Sequence, residues 1–342
     1  MESGDQADTV QSGVSQDSAA EDSAADAGAE TNGQASATAG TPRANSPRDP
    51  LAKPRDLASA TKQSIRYALL TASRPTASAR ILPGFLMVGP PRCGTTSMYD
   101  TLSQHPAVAH PLLSWTREVH YFDNNYHRGM AWYQSHFPLR ARAARAAHAV
   151  GAQPMAFESS PYYILHPLAP ERILRDLPGV KLMVQLRDPI ERAFSSHAYS
   201  ISVGCDTETF ERALELEDSR LEGEVERLME DPSFPSLAHR HHSYRTRGHY
   251  VDHLEHLEKL FGRDRIHVVD SADFFTDPKP TYDGVLKYLG LPNVGYPDFK
   301  HLNARSRPAP MPDSVRAELE DHFRPYNERL IKWLGWKPSW CR

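Results

Sequence analysis

The nine residues Gly89-Pro90-Pro91-Arg92-Cys93-Gly94-Thr95-Thr96-Ser97 follow the apolar run "FLMV" and precede the helix-like "MYDTLSQH". A buried strand, a glycine-punctuated turn and a helix in that order make a cradle for an anion. The glycines let the backbone curl, and the helix presents its positive end. The spacing of Gly89 and Gly94, with Thr96 two positions on, is almost that of the nucleotide-hydrolase phosphate loop G-x-x-x-x-G-K-[ST]. The lysine is missing: Thr95 stands in its place, and the loop carries Arg92 instead. This feature sets both the fold expected and the kind of ligand.

Apolar runs at 85–89, 154–158, 180–186 and 266–270 read as strands. Helical patterns occupy the intervals, near 95–105, 168–176, 190–203, 208–230, 250–261, 279–289 and 313–333. Such alternation predicts an α/β fold: a P-loop-like, doubly wound parallel sheet flanked by helices, in a single domain. Ligands of such sheets bind at the carboxyl ends of the strands. The third strand ends in Arg187-Asp188-Pro189. Asp188 suits a helix cap and Pro189 the first helical position, which leaves Arg187 to grip an anion with two N–H groups. A nucleotide hydrolase would offer an Asp at such a strand end for Mg²⁺. Both departures point to an anion held by arginine and backbone without a metal.

The rest of the chain bounds the function. Of its 342 residues, 1–50 contain no Phe, Tyr, Trp, Ile, Leu or Cys. Such a segment buries too little apolar surface to order itself, so residues 1–55 are predicted to be a disordered low-complexity tail. Residues 56–80 are transitional, with a possible short helix at "KQSIRYALL", and the folded domain spans 81–342. No run approaches the length of a membrane span. Three cysteines, Cys93, Cys205 and Cys341, offer neither a disulfide framework nor a paired metal spacing, which suits the cytoplasm. A formal net charge of −4 does not suit a protein that coats nucleic acid. The histidines of "HRHH" (239–242) and of 249, 253 and 256 lack accompanying carboxylates or cysteines and read as helix-surface residues rather than metal ligands. The acidic stretch 211–231 reads as a solvated helix face.

These segments carry a family resemblance. "GPPRCGTTS" resembles the 5′-phosphosulfate loop of sulfotransferases. "RDPIERAFS" resembles their 3′-phosphate site, an Arg with a Ser eight positions later. "REVHYFDNNYHRGMAWYQSHFP" (117–138) is similar to the segment K-E-x-H-F-F-D and its aromatic continuation in the carbohydrate sulfotransferases that act on heparan sulfate. "FESSPYY" (157–163) and "ARSRPAPMPD" (304–313) resemble two further segments of that group.

The resemblance implies a donor, 3′-phosphoadenosine 5′-phosphosulfate (PAPS), and no metal. Arg92, Cys93, Gly94, Thr95, Thr96 and Ser97 would hold the 5′-phosphosulfate, and Arg187 and Ser195 the 3′-phosphate. Arg305 and Arg307 would close over the cofactor, and Tyr244 and Tyr250 would line its cleft. Glu118 matches the catalytic glutamate and is the candidate general base. His120, two residues on and on the same side of an extended segment, is placed to assist, to orient Glu118 or to act as base itself. Asp123 would position the histidine or the substrate, and Trp115, Tyr121 and Phe122 would contact the acceptor. Trp132 and Tyr133 suit either the cleft wall or the core.

Ser159 stands where the family has a lysine. The family's C-terminal cysteine pair and Golgi anchor are absent, which implies a soluble bacterial-type member with a carbohydrate or small-molecule acceptor. Two other readings remain open in sequence: a P-loop kinase or nucleotide hydrolase, and a nucleotide-binding module without catalysis.

Overall fold

The computed structural model describes residues 57–112, 117–232, 234–302 and 310–342. The predicted tail at 1–55, Trp115, Arg305 and Arg307 lie outside them. The transitional segment forms a helix, Leu57–Ser73, and a 3-10 turn, Arg74–Ala79.

Five strands follow: β1 (Pro83–Gly89), β2 (Val108–Ala109), β3 (Met155–Ser159), β4 (Lys181–Leu186) and β5 (Ile266–Asp270). They form one sheet in the order β2-β3-β1-β4-β5, and every pair is parallel. Four strands coincide with the apolar runs. The two-residue β2 is too short to leave a periodic signal.

Side chains alternate across the sheet as the pleat requires. Leu86, Val88, Leu182, Val184 and Leu186 face a core completed by the helices Ala169–Asp176 and Tyr250–Phe261. Phe85, Met87, Phe157 and Met183 face the opposite core, closed by Thr95–Ser103 and Pro278–Leu289. Both faces are covered, so the strands read as continuous apolar runs rather than alternating ones. A third cluster joins the helix Pro189–Ser202 to the last helix, Asp313–Leu334, through Ile190, Phe194, Leu319 and Phe323.

The chain runs from the central strand to β2 and β3 on one side, then crosses to β4 and β5 on the other. The reversal lies at β1, and a cleft opens beyond the carboxyl ends of β1, β3, β4 and β5. The helix expected over 208–230 is broken into Phe210–Glu215, Glu217–Leu221 and Glu224–Glu230. Its face is not wholly solvated: Glu217 is fully buried and accepts hydrogen bonds from the Arg245 and Thr246 N–H groups. Among the described residues no helix is long and apolar enough to cross a membrane.

Candidate active site

The cleft has a volume of about 510 Å³ and is lined by Arg92, Gly94, Thr95, Thr96, Glu118, His120, Arg187 and Ser195, among others. Residues more than 100 positions apart in sequence meet there because the strand ends converge.

The anion loop owes its shape to two glycines. Gly89 has φ +115°, and a Cβ there would lie 1.9 Å from the Pro161 carbonyl oxygen. Gly94 has φ +83°, caps the helix Thr95–Ser103 and would bring a Cβ to 2.8 Å from the Phe275 ring. Between them Arg92 adopts φ +70°. Its Nε donates to Ser195 Oγ at 3.3 Å, and its guanidinium lies 5.2 Å from the Tyr199 ring centroid. Arg187 Nη1 donates to the Arg92 carbonyl at 3.4 Å. The Arg187 carbonyl accepts from Tyr250 Oη at 2.8 Å. Asp188 caps the following helix through Ile190 N–H, with Pro189 at its first position. The two predicted anion-binding segments are thus one connected surface.

The second half of the cleft is built on β3. Glu158, at its end, is fully buried and accepts from Ser160 Oγ at 2.6 Å and Tyr163 Oη at 2.8 Å. Burial pushes its carboxyl up to about 7 despite those donors. Ser160 Oγ in turn accepts the N–H groups of Val119 and His120 at 3.2 and 3.1 Å. This bracket holds His120 at φ +53°. Among the described residues Arg92 and His120 are the two non-glycine residues with positive φ. Both line the cleft, where strain of this kind concentrates at functional groups.

His120 lies between two carboxylates. Nδ1 is 2.6 Å from Asp123 Oδ2 and Nε2 is 2.8 Å from Glu118 Oε2. Burial alone would lower its pKa, but the Asp123 charge and the bonds to both carboxylates outweigh burial and raise it to about 10. Burial would raise Asp123, and the His120 charge instead lowers it to about 2. Such a shift favours an imidazolium that donates to both carboxylates. The Glu118 side chain is 30 % exposed, and its Oε1 has no partner among the described residues.

Several expectations need correction. Tyr121 and Phe122 do not reach the cleft: they are 2 % and 0 % exposed, and in the core Tyr121 stacks on Tyr133 while Phe122 meets it edge-on. Of the two places open to Trp132 and Tyr133, cleft wall or core, both take the core. Asp123 is fully buried and serves the histidine, with no surface left for substrate. The Cys93 thiol faces Tyr250 Oη at 4.0 Å inside the protein, and burial pushes it up to about 11. Ser97 is also fully buried, its Oγ accepting from Leu302 N–H at 2.9 Å. Tyr244 and Tyr250 are buried behind the cleft rather than along it.

Other cleft residues went unread in sequence. Ser271, just after β5, donates to the Cys93 carbonyl, and Phe275 stacks on His301 at 4.1 Å. The strand-end rule would have found Ser271. Arg240 and His241, from the "HRHH" segment, also line the cleft. Burial lowers His241 and His239 to about 3 each, so both are neutral. Both are half-buried rather than solvated. No group of three or more His, Cys, Asp or Glu among the described residues converges as metal ligands would.

Comparison with known proteins gives a consistent result. The sulfotransferase domain family matches residues 82–302. Human heparan sulfate glucosamine 3-O-sulfotransferase 5 is 27 % identical over 282 residues, which cover 76 % of this chain and 74 % of that protein. Human bifunctional heparan sulfate N-deacetylase/N-sulfotransferase 3 is 28 % identical over 291 residues, 76 % of this chain but 31 % of that much longer protein. Among solved structures, a sulfotransferase from Alicyclobacillus acidocaldarius matches with a TM-score of 0.56 and 25 % identity, covering 76 % of this chain and 98 % of that one.

Proposed function

The chain belongs to the sulfotransferase family, and on that premise we propose that it moves the sulfuryl group of PAPS to a hydroxyl of a carbohydrate acceptor, with Glu118 as general base. The observation that carries this reading is the partly exposed Glu118 carboxylate, held by an imidazolium in the same cleft as an arginine-bearing anion loop. The carbohydrate assignment is supported by the heparan sulfate enzymes among the relatives.

The residues present suit the donor. Gly89 and Gly94 let the loop curl against Pro161 and Phe275, where a Cβ would clash, and the cradle so formed presents Gly94, Thr95 and Thr96 to the cleft. The helix Thr95–Ser103 turns its positive end to that cradle, and Arg92, Arg187 and Ser195 line one continuous surface beside it. PAPS, when bound, supplies the electrophilic sulfur and a phosphate leaving group. Thr95, Thr96 and Arg92 would meet the 5′-phosphosulfate, where hydrogen bonds and positive charge would stabilise a phosphate gaining charge, and Arg187 and Ser195 would hold the 3′-phosphate.

On the acceptor side, His120 donates to Glu118 Oε2, which leaves Oε1 to take the hydroxyl proton. With PAPS bound, loss of that proton would leave the acceptor oxygen to bond to sulfur while the 5′-phosphate departs with the electrons of the broken sulfur–oxygen bond. Asp123, at the opposite edge of the ring, fixes the histidine against Glu118.

Two measurements test the reading. The melting temperature should rise with 3′,5′-adenosine bisphosphate, the spent donor, because a ligand that binds only the native state stabilises it by mass action. The rise should vanish in Arg187→Ala, whereas a rise with Mg-ATP alone would favour a kinase. Glu118→Gln should lower turnover by about 10²–10⁴-fold with bisphosphate binding retained. Unchanged turnover in that variant would remove Glu118 from the chemistry.

A further inference from the structure

The proposed reaction leaves one buried acid beneath the cleft unused. Residues 117–125 form neither helix nor strand, so their N–H groups need partners from elsewhere. Ser160 Oγ accepts from Val119 and His120 at 3.2 and 3.1 Å. Tyr163 Oη accepts from the next two, Tyr121 and Phe122, at 2.8 and 3.4 Å. Both hydroxyls donate to Glu158, Ser160 to Oε2 at 2.6 Å and Tyr163 to Oε1 at 2.8 Å. One carboxyl group therefore serves, through two hydroxyls, four consecutive N–H groups of the stretch that runs from Glu118 to Asp123. Glu158, Ser160 and Tyr163 are all fully buried. The carbonyl edge of the same stretch is pinned by Arg172, whose Nη1 donates to the Phe122 and Asp123 carbonyls at 2.7 and 3.1 Å.

Donors and acceptors balance for one form of Glu158 only. A hydroxyl has one proton and two lone pairs. Here each proton goes to the carboxylate and both lone pairs go to N–H groups. A protonated carboxyl, or an amide, would turn a donor toward one of these hydroxyls and displace an N–H group from it. Tyr133 Oη, from the helix Met130–Gln134, is a third donor to Glu158, at 3.4 Å. Burial first, and the Glu158 charge next, push the Tyr133 and Tyr163 phenols up, so both keep the protons they donate. Tyr99, from the helix Thr95–Ser103, is raised as well, chiefly by burial. His120 is the charged group that faces Glu158 from the stretch itself. Burial raises Glu158 to about 7 against its donors and that charge, so its ionisation changes near neutrality.

We propose that Glu158 is a positioning residue for the transfer: through Ser160 and Tyr163 it sets the backbone that aims the Glu118 carboxylate and the His120 ring. It does not itself line the cleft. The proposal rests on the base role assigned to Glu118.

The test follows release of 3′,5′-adenosine bisphosphate from PAPS by the full chain, with heparan sulfate as acceptor and with water alone. Glu158→Gln should lower kcat about 10²-fold, the scale of a small misplacement at a reacting centre. KM for PAPS and the rise in melting temperature with the bisphosphate should not change. Native kcat should rise as pH passes about 7, because ionised Glu158 completes the bracket, and that rise should be missing in Glu158→Gln. Amide exchange over residues 119–122 should quicken about tenfold in the variant, with β1 and β4 unaffected. In a folded Glu158→Gln, native kcat, native exchange or a preserved pH limb would each overturn the proposal. Ser160→Ala keeps the buried carboxyl and should show the losses of kcat and of exchange protection more weakly; it decides in the same way if Glu158→Gln does not fold. Unchanged turnover in Glu118→Gln is a separate result, which removes the base reading and the positioning role with it. A native chain that releases no bisphosphate with either acceptor removes the proposed function as a whole.

Discussion

His120 does its work through two short contacts and a strained backbone, and its protonation is measurable. Its folded pKa, about 10, lies above that of an unfolded histidine near 6.5. The His120–carboxylate contacts therefore contribute fully below about pH 6.5, and the contribution is lost as pH rises toward 10. Urea unfolding should show a midpoint that falls across that window in the native chain and falls less in His120→Asn. A slope identical in both would mean the ring is neutral in the folded protein. Sequence spacing placed Glu118 and His120 on one side of the chain, but it left three roles open to the histidine. The choice depends on Asp123 Oδ2 at 2.6 Å and on Ser160 gathering two backbone N–H groups. Those are tertiary contacts with no one-dimensional signal. Arg240 was hidden for a related reason: among three histidines it reads as one more solvated side chain until the helix Leu237–His241 is seen against the cleft.

At the scale of elements, the anion loop is the part most legible in sequence, because its glycines answer a local steric demand. Gly94 must be left-handed to start the helix and must also pass within contact of Phe275 and Ser271. Gly94→Ala incurs about 1–2 kcal/mol of backbone strain and a clash with that ring. The variant should melt lower and should also bind the bisphosphate more weakly, as thermal shift with and without ligand would show. Equal losses of stability with and without ligand would assign the glycine to folding alone. The aromatic segment was read less well. Tyr121, Phe122, Trp132 and Tyr133 lie along one stretch whose composition suits a sugar-binding wall, yet they pack on one another beneath the cleft. Composition cannot tell a buried aromatic layer from an exposed one when helix and loop turn it inward. The 208–230 segment failed similarly: its charge spacing is helical throughout, but the left-handed Gly223 and the burial of Glu217 divide it.

Across the whole molecule, the last helix supports the anion site from behind. Phe323 is 1 % exposed, and its ring fills the space that a side chain at Gly248 would need, beside Pro189. Phe323→Ala should destabilise the fold by about 3–5 kcal/mol, and the bisphosphate shift should shrink with it, since Pro189 opens the helix that follows Arg187. A variant that loses stability but binds the bisphosphate as before would separate the support from the site. The strand order was predictable as a class, a parallel doubly wound sheet, because covered faces make continuous apolar runs.

The central position of β1 also governs when the site can form. Its two neighbours, β3 and β4, begin about 70 and about 100 residues further along the chain, and no strand pair is closed by a local hairpin. Pairings this distant in sequence close slowly. During synthesis, Gly89–Ser97 leaves the ribosome well before the strands that shape it. The loop cannot take its final shape until β4 is made, because Arg187, at the end of that strand, holds the Arg92 carbonyl.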